Sequence, residues 1–196
     1  MRPYSGHLIR FAALVTALIL SVGCHGTFVM RTDELAGLQT GSPLRGIASK
    51  TFALKEFTDA RRTDPYMVFD FKGDKWKLEQ PVTAFAAMAI RKELERNGHT
   101  CIAYSPASKA DFIIGGAVFK YRIDQIYVGS FYAYVGVKVT INPASAGNRV
   151  LIKSYDGEAI GPGLPRGTWK EQLNRANSAM LKEFSNDPDL IEFLEK

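Results

Sequence analysis

Two neighbouring segments, ADFIIGGAVFKYRIDQI (residues 110–126) and SFYAYVGVKVTIN (residues 130–142), decide the fold. In both, apolar and polar side chains alternate with a period of two, which is typical of β-strands that bury one face. Because only residues 127–129 separate the segments, they predict an antiparallel hairpin. RVLIKSYDGEAIG (149–161) alternates in the same way, so the three segments together predict an antiparallel meander.

The alternation also assigns side chains to the two faces of this sheet. The inward set consists of Phe119, Tyr121, Ile123, Phe131, Ala133, Val135, Val137, Val139, Ile141, Val150 and Ile152. The outward residues are Lys138 and a further six that form the candidate surface, namely Lys120, Arg122, Tyr132, Tyr134, Lys153 and Tyr155. Because tyrosine and arginine are enriched at protein interfaces, these six predict a partner-binding surface. The alternative is an ordinary solvated face, on which tyrosine simply suits a strand. A one-residue shift of register would exchange the two faces, and Gly129 and Gly136 are the candidate places for it.

Helices are predicted on either side of these strands in the sequence. Pro81 suits the first turn of a helix and Asn97-Gly98 suits its end, with VTAFAAMAI after Pro81 apolar on most sides. A second helix has one apolar stripe at helical spacing, made of Trp169, Leu173, Ala176, Met180 and Phe184. With short strands in 51–57, 66–71 and 101–104, these elements predict an α+β fold. It is an antiparallel-rich mixed β-sheet with two main helices packed on one face.

The N-terminal region has the layout of a secretory signal. Arg2 and Arg10 lie in a basic start, residues 11–22 are almost wholly apolar, and Gly23 precedes Cys24. The apolar run is shorter than the roughly 20 residues that a membrane-spanning helix needs. Residues 21–24, SVGC, resemble the lipobox at which bacterial lipoproteins are cut and lipidated on the cysteine; the alternative is a plain secretory signal with a free cysteine. We therefore predict a lipoprotein signal peptide over 1–23, a lipidated N-terminus and flexible tether over 24–50, and a single α+β domain over 51–196.

Lipidation of Cys24 makes a membrane the first predicted partner. The residue after the cysteine is His25 and not Asp, which under the sorting rule of enteric-type bacteria implies an outer-membrane lipoprotein whose domain faces the periplasm. The formal charge of +5 comes from interspersed acids and bases without blocks of like charge. Nucleic acid is therefore not an expected partner.

Residues that could support catalysis or bind a metal are sparse. The chain has three histidines, His7, His25 and His99, and no pair has ligand spacing. No G-x-S-x-G or G-x-G-x-x-G pattern occurs, so we predict no enzyme, no metal site and no cofactor. Cys101 lies in an apolar strand, where a small buried side chain is its ordinary role. Asp59 and Arg61 form a candidate loop site for a polar ligand; the alternative is an ion pair that orients the loop.

The order of these segments and several short phrases resemble a known family. The phrases are FTDAR (57–61), RKELERNGH (91–99), ADFIIGGAVFKY (110–121) and NDPDLIEF (186–193). With the lipobox, they resemble the YajG-like family of bacterial lipoproteins over most of residues 51–195. The resemblance implies a membrane-tethered, periplasm-facing domain without known enzymatic chemistry. The auxiliary lipoproteins of lipid-trafficking ABC transporters have a similar layout.

These observations lead to one expected function and two alternatives. We expect a non-enzymatic envelope lipoprotein whose periplasmic domain binds another envelope component, either a protein or a lipid. A lipid-handling auxiliary lipoprotein of an ABC transporter is the first alternative, and an apolar groove would favour it. A small secreted enzyme is the second, and a cluster of titratable groups in a deep pocket would favour it.

Overall fold

The structure, a computed structural model, describes residues 27–31, 42–71, 74–127, 130–145, 149–162 and 168–196. The strands are β1 (Thr27–Met30), β2 (Thr51–Leu54), β3 (Thr58–Asp59), β4 (Met67–Phe71), β5 (Asp74–Leu78), β6 (Thr100–Ala103), β7 (Phe112–Tyr127), β8 (Ser130–Pro143) and β9 (Leu151–Pro162). The α-helices are α1 (Val82–Arg96), α2 (Thr168–Asn186) and α3 (Pro188–Glu195), and a 3-10 turn covers Pro43–Gly46. Within these ranges, no helix is both long and apolar enough to cross a membrane.

The main sheet has the strand order β6-β2-β7-β8-β9, and β3 pairs with β7 beyond the end of β2. Strands β7, β8 and β9 form the predicted antiparallel meander. Strand β2 is parallel to both of its neighbours, β6 and β7. A smaller sheet has the order β1-β5-β4. The predicted fold class, a mixed and antiparallel-rich sheet with helices packed against it, is confirmed.

The two long helices pack on one face of the main sheet because each presents apolar side chains to it. The stripe predicted for α2 is buried throughout: Trp169, Leu173, Ala176, Met180 and Phe184 are each at most 2% exposed. The buried residues of α1 are Val82, Phe85, Ala86, Ala89, Ile90, Glu93 and Leu94. Both helices share one hydrophobic core with the inward side chains of β8.

A β-bulge in β7 changes one of the predicted face assignments. Val118 pairs with Val137 and Lys120 pairs with Gly136, so Phe119 is the extra residue. Val118 and Tyr121 are therefore both buried, whereas Phe119 is 39% exposed on the outer face. The prediction that Phe119 faces the core is wrong. Its ring lies against Gly136, where a Cβ would come within 2.7 Å of the ring, so the glycine makes room for the bulge.

The predicted faces of β9 are inverted. Val150 and Ile152, expected in the core, are 50% and 53% exposed, and Tyr155, expected outside, is buried. The physical reason is the close approach of α2 to this strand. A Cβ on Gly157 would lie 1.9 Å from the carbonyl oxygen of Ala176, so the helix-facing positions need small residues. Glycine carries no apolar signal, so the exposed aliphatic residues of this strand give a misleading pattern.

The prediction that residues 24–50 form only a tether is wrong for the two stretches that the structure describes. Strand β1 pairs with β5 and Met30 is fully buried. The 3-10 turn places Leu44 in the core, and the Ser42 hydroxyl donates to the carbonyl oxygen of Ser185 in α2 at 2.9 Å. Cys24 and the signal region lie outside the described residues.

Leu44→Ala tests whether this segment belongs to the fold. We expect a loss of about 2–5 kcal/mol in the free energy of unfolding, because the side chain is fully buried and its removal leaves a cavity. Denaturant unfolding followed by circular dichroism measures it. Val29→Ala is the control, since Val29 is 45% exposed on β1 and its loss should cost less than about 0.5 kcal/mol. Equal, small losses of unfolding free energy in both variants would show that the segment is only a tether.

Candidate functional site

The outer face of the main sheet carries a contiguous set of side chains, which we call the tyrosine surface. Its members are Phe119, Lys120, Arg122, Tyr132, Tyr134, Glu158 and Ile160. They come from three adjacent strands, since Tyr134 pairs with Arg122 on one side and with Glu158 on the other. The helices α1 and α2 lie on the opposite face, so the described helices leave this surface open.

The two tyrosines form the centre of this surface. Tyr132 and Tyr134 are two residues apart on β8, so both point to the outer face. Their rings stack with centroids 4.4 Å apart and an angle of 21° between the ring planes. The stacking places the two rings against each other on the outer face, where both tyrosines are half-buried.

Two cations lie against the aromatic pair. The Lys120 ammonium is 4.8 Å from the centre of the Tyr134 ring, and the Arg122 guanidinium is 5.1 Å from it. Both distances are within the range of favourable cation–π contact. The tyrosine surface therefore combines two tyrosines with an arginine, and both residue types are enriched at protein interfaces.

Carboxylates balance these cations. Glu158 lies 3.6 Å from the Lys120 ammonium and accepts a 2.6 Å hydrogen bond from the Tyr132 hydroxyl. That hydrogen bond to a carboxylate raises the pKa of the Tyr132 hydroxyl. Asp124 pairs with Arg122 at 3.1 Å. Because each cation already faces a carboxylate, the surface is better suited to a protein than to a polyanion.

Sequence reasoning missed three members of the tyrosine surface. Phe119 reached the outer face through the bulge, and Ile160, which is 60% exposed, did so through the inverted faces of β9. Glu158 was not singled out because its role depends on pairing with Tyr134 across the sheet. A signal for Ile160 was present in the sequence, since Gly157 and Gly161 share the parity opposite to it and mark the face under a helix.

Lys153 and Tyr155 belong to the opposite face, so their predicted outward positions are wrong. Tyr155 packs edge-on against Phe184 with ring centroids 5.2 Å apart, and its hydroxyl donates to Asp187 at 2.8 Å. Burial, followed by that contact with a carboxylate, raises the pKa of Tyr155. The Lys153 ammonium donates to Asp189 and lies 3.7 Å from Asp187. These residues join β9 to the junction of α2 and α3.

Asp59 and Arg61, the candidate loop site, pair with each other and organise the loop. The Arg61 guanidinium donates to both carboxylate oxygens of Asp59, at 3.0 and 2.8 Å. It also donates to the carbonyl oxygens of Asp64, Met67 and Tyr121. The hydrogen bond from Arg61 lowers the pKa of Asp59, outweighing the opposite effect of burial. The Arg61 side chain is 6% exposed, and its hydrogen bonds link the loop to β4 and β7 inside the protein.

The remaining chemically notable residues are dispersed. Burial raises the pKa of the Cys101 thiol to about 12, which makes it a poor nucleophile. His99 is buried, its ring is edge-on to Phe52, and Nδ1 accepts from the backbone N–H of Lys50. In the part of the chain that the structure describes, no three His, Cys, Asp or Glu side chains are grouped to hold a metal ion.

Two open grooves flank the main sheet. One has a volume of about 780 Å³ and lies between β4 and the second half of β7, so Lys120 and Arg122 of the tyrosine surface form part of its wall. The other, of about 770 Å³, lies between α1 and the chain after β2. Ala84, Ala87 and Met88 supply apolar lining to this second groove. Among the described residues, the lining of the first groove includes Lys120, Arg122 and Asp124, and that of the second includes Lys55, Arg91 and Glu95.

Comparisons with known proteins support the fold. No family model matches the chain, and no curated protein matches it. A solved DUF330 family protein from Xanthomonas campestris aligns with a TM-score of 0.55 at 14% identity, covering 80% of this chain and 91% of that chain, and shows a shared fold.

More distant structures are also similar to this chain. The PelC dodecamer from Paraburkholderia phytofirmans aligns at a TM-score of 0.43 and 16% identity, over 73% of this chain and 93% of that one. A minor lipoprotein from Acinetobacter baumannii aligns at 0.36 and 11% identity, over 71% and 87%. TM-scores this low do not establish that either structure shares the fold of this chain. The YajG-like resemblance stays a prediction.

Paired substitutions test which tyrosines lie on the open face. Tyr155→Ala should lower the free energy of unfolding by about 3–5 kcal/mol, because a buried aromatic ring is removed. Tyr134→Ala should cost about 0.5–1.5 kcal/mol, the size of an aromatic pair. Thermal and urea unfolding of the two variants provide the comparison. A larger loss for Tyr134→Ala than for Tyr155→Ala would reverse the assigned faces.

Proposed function

We propose that this chain is a non-enzymatic, lipid-anchored protein of the bacterial cell envelope whose domain binds another envelope protein through the tyrosine surface. The observation that carries the proposal is the ordered array of stacked tyrosines and paired charges on an open sheet face. The array is made by residues from three strands and includes the highly exposed Ile160. An ordinary solvated face would not need contacts that hold the two tyrosine rings against two cations and a carboxylate.

The energetics of such a surface suit binding. Tyrosine and arginine are the residues most often found to dominate interface energies, and truncating one such anchor commonly costs about 2 kcal/mol or more of binding free energy. The stacking and the contacts from Lys120 and Glu158 fix the rings before a partner arrives. Binding then loses little side-chain entropy, which increases the affinity obtained from each contact.

The anchor in this proposal is Cys24. Its position after an apolar segment and the SVG sequence supports lipidation, and His25 supports sorting to the outer membrane. The fold likeness to the DUF330 family protein is compatible with this proposal and does not identify the partner. Membership of the YajG-like family is the finer form of the same proposal and rests on the sequence phrases.

One observation favours the lipid-handling alternative. The groove beside α1 combines apolar lining from Ala84, Ala87 and Met88 with charged side chains of both signs, which are Lys55, Glu56, Arg91, Lys92 and Glu95. Acyl chains fit apolar linings, and basic side chains suit acidic headgroups. Lipid copurifying with the mature chain after detergent exchange, and lost from an Ala87→Glu variant, would favour this second function.

Cys24→Ser tests the anchor. We expect the wild-type chain to incorporate radiolabelled palmitate and to fractionate with membranes, because acyl chains contribute about 0.8 kcal/mol per buried methylene. The Cys24→Ser variant should incorporate none and should accumulate as the uncleaved precursor. Cys101→Ser is the matched control and should label like the wild type. Absence of label from the wild type would contradict a lipid anchor.

A photo-crosslinking residue in place of Ile160 tests the tyrosine surface. In intact cells it should yield a discrete adduct, and Tyr132→Ala combined with Tyr134→Ala should reduce that adduct at least several-fold, since two anchors are lost. Lys138→Ala with Thr140→Ala is the control, because both residues are on β8 with outward parity, farther from the tyrosines. An unchanged adduct in a stably folded tyrosine variant would leave only a solvated face. Mass spectrometry of the adduct distinguishes protein from lipid.

A further inference from the structure

The first described strand begins very close to the proposed anchor. Thr27, the first residue of β1, follows Cys24 by three residues. An extended chain spans at most about 3.3–3.6 Å per residue, so Thr27 lies no more than about 10 Å from the lipidated cysteine. Thr27 can therefore move only within about 10 Å of the anchor. We call residues 24–26, which set this distance, the leash.

Strand β1 is fixed within the domain. It forms a parallel ladder with β5, in which Thr27 pairs with Lys75 and Met30 pairs with Leu78. Met30 is fully buried, and its carbonyl oxygen accepts the N–H of Glu79 at 2.8 Å. A strand held by backbone hydrogen bonds and a buried side chain cannot act as a free linker. The leash consequently ends at Thr27 and not at residue 50.

The small sheet has a defined direction relative to the main sheet. The Arg61 guanidinium bridges the carbonyl oxygens of Met67 in β4 and Tyr121 in β7, at 2.8 and 2.9 Å. Two residues farther along β4, Phe69 packs edge-on against Phe131, at the start of β8, with ring centroids 6.0 Å apart. Since Phe131 pairs with Gln125, β4 runs alongside the second half of β7 in the same direction.

This direction places the start of β1 at one end of the main sheet. Strand β5 is antiparallel to β4 and parallel to β1, so Thr27 and Lys75 lie at the end where β7 finishes and β8 begins. The ring centroids of Trp76 and Phe131 are 4.7 Å apart. Lys75, which precedes Trp76, therefore lies close to the start of β8. Pro162, the last residue of β9, pairs with Ser130 at this same end.

We infer that the domain is oriented on its membrane, with the end that carries Thr27, Lys75 and Pro162 facing the surface of the bilayer that holds Cys24. This inference rests on the proposed lipid anchor. The occupant of this end is the bilayer itself, because a leash of about 10 Å keeps Thr27 near the surface and excludes an upright domain with the opposite end towards the bilayer. Phe131 and Ile141 are ten residues apart on β8, so in an upright domain the far end stands about 33 Å higher.

The orientation specifies where the tyrosine surface is presented. Tyr132 follows Phe131 directly, and Tyr134 is two residues farther, so the tyrosines stand within about 10 Å of the level of Phe131. They belong to the half of the outer face nearer the membrane, and they face sideways along it. A partner that uses this surface therefore has to reach a site close to the bilayer, as a protein of the same membrane does.

The test attaches the chain chemically, so that it does not depend on lipidation in the cell. Residues 24–196 with Cys101→Ala, which keep Cys24 as the single thiol, are coupled to vesicles of phosphatidylethanolamine and phosphatidylglycerol that contain a maleimide-headgroup lipid. A fluorophore is clicked onto an azido residue at Lys75, Pro162, Ser154 or Ser145, all of them exposed. A paramagnetic headgroup lipid then quenches whichever fluorophore lies near the surface.

We expect several-fold stronger quenching at positions 75 and 162 than at 145, with 154 close to 145. The protein mixed with vesicles but not coupled gives the background, and position 145 should stay at that level. Inserting twenty Gly and Ser residues after His25 lengthens the leash to about 25 Å and should make the four positions similar. Equal quenching without the insertion, or stronger quenching at 145, would overturn the orientation. A failure of palmitate labelling in cells would instead refute the natural anchor and leave this result intact.

Discussion

The close approach of α2 to β9 is the contact on which the exposed face of the molecule depends. Gly157 and Gly161 leave no side chain between strand and helix, so that α2 lies directly on the backbone of β9. A Cβ at Gly157 would lie 1.9 Å from the backbone oxygen of Ala176, and one at Gly161 would lie 2.2 Å from the amide of Gln172. The face of β9 that carries these two glycines is therefore the one that packs against α2. Side chains of opposite parity in β9 are turned outward, and two of them, Glu158 and Ile160, lie beside Tyr134 and Tyr132 of β8.

A second constraint joins the two sheets. Arg61 donates to β4, to β7 and to its own loop, and no water-facing role remains for its buried guanidinium. Breaking such an arrangement leaves a buried charge and several carbonyl oxygens without a partner, which is far more costly than the loss of a surface ion pair. Strand β4 of the small sheet is thereby held beside the second half of β7, running in the same direction. Because β1 belongs to that sheet, a loop arginine also helps to fix where β1 begins relative to the main sheet.

The sequence was sufficient for the α+β class, for the stripe of α2 and for the outward positions of Lys120, Arg122, Tyr132 and Tyr134. These follow from periodicity within one element, where a local pattern reports burial directly. It was insufficient for β9, because Gly157 and Gly161 lie in the buried face without contributing apolar character, while Ile152 and Ile160 are exposed. It was also insufficient at Phe119, since a bulge depends on the partner strand, here on the space over Gly136.

The N-terminal segment shows a further limit of periodicity. Met30 and Leu44 are single buried side chains in short elements, and one apolar residue does not make a pattern. Their burial depends on contacts remote in sequence, with β5 for one and with α2, through Ser42 and Ser185, for the other. Composition rich in Gly, Ser and Thr suggested a linker, but tertiary contacts determined the structure of these stretches.

The proposed lipid anchor changes what the tyrosine surface would need to achieve. The cations of this surface are balanced by Glu158 and Asp124, so a partner in free solution would gain little from charge attraction. Two proteins held on one membrane meet at a much higher effective concentration, which multiplies the occupancy of a weak site without new contacts. The inferred orientation would add to this effect, because the surface would already face sideways at the height of a membrane neighbour. In this proposal, rigid rings, paired charges and a short anchor act on the same quantity, the entropy lost when the complex forms.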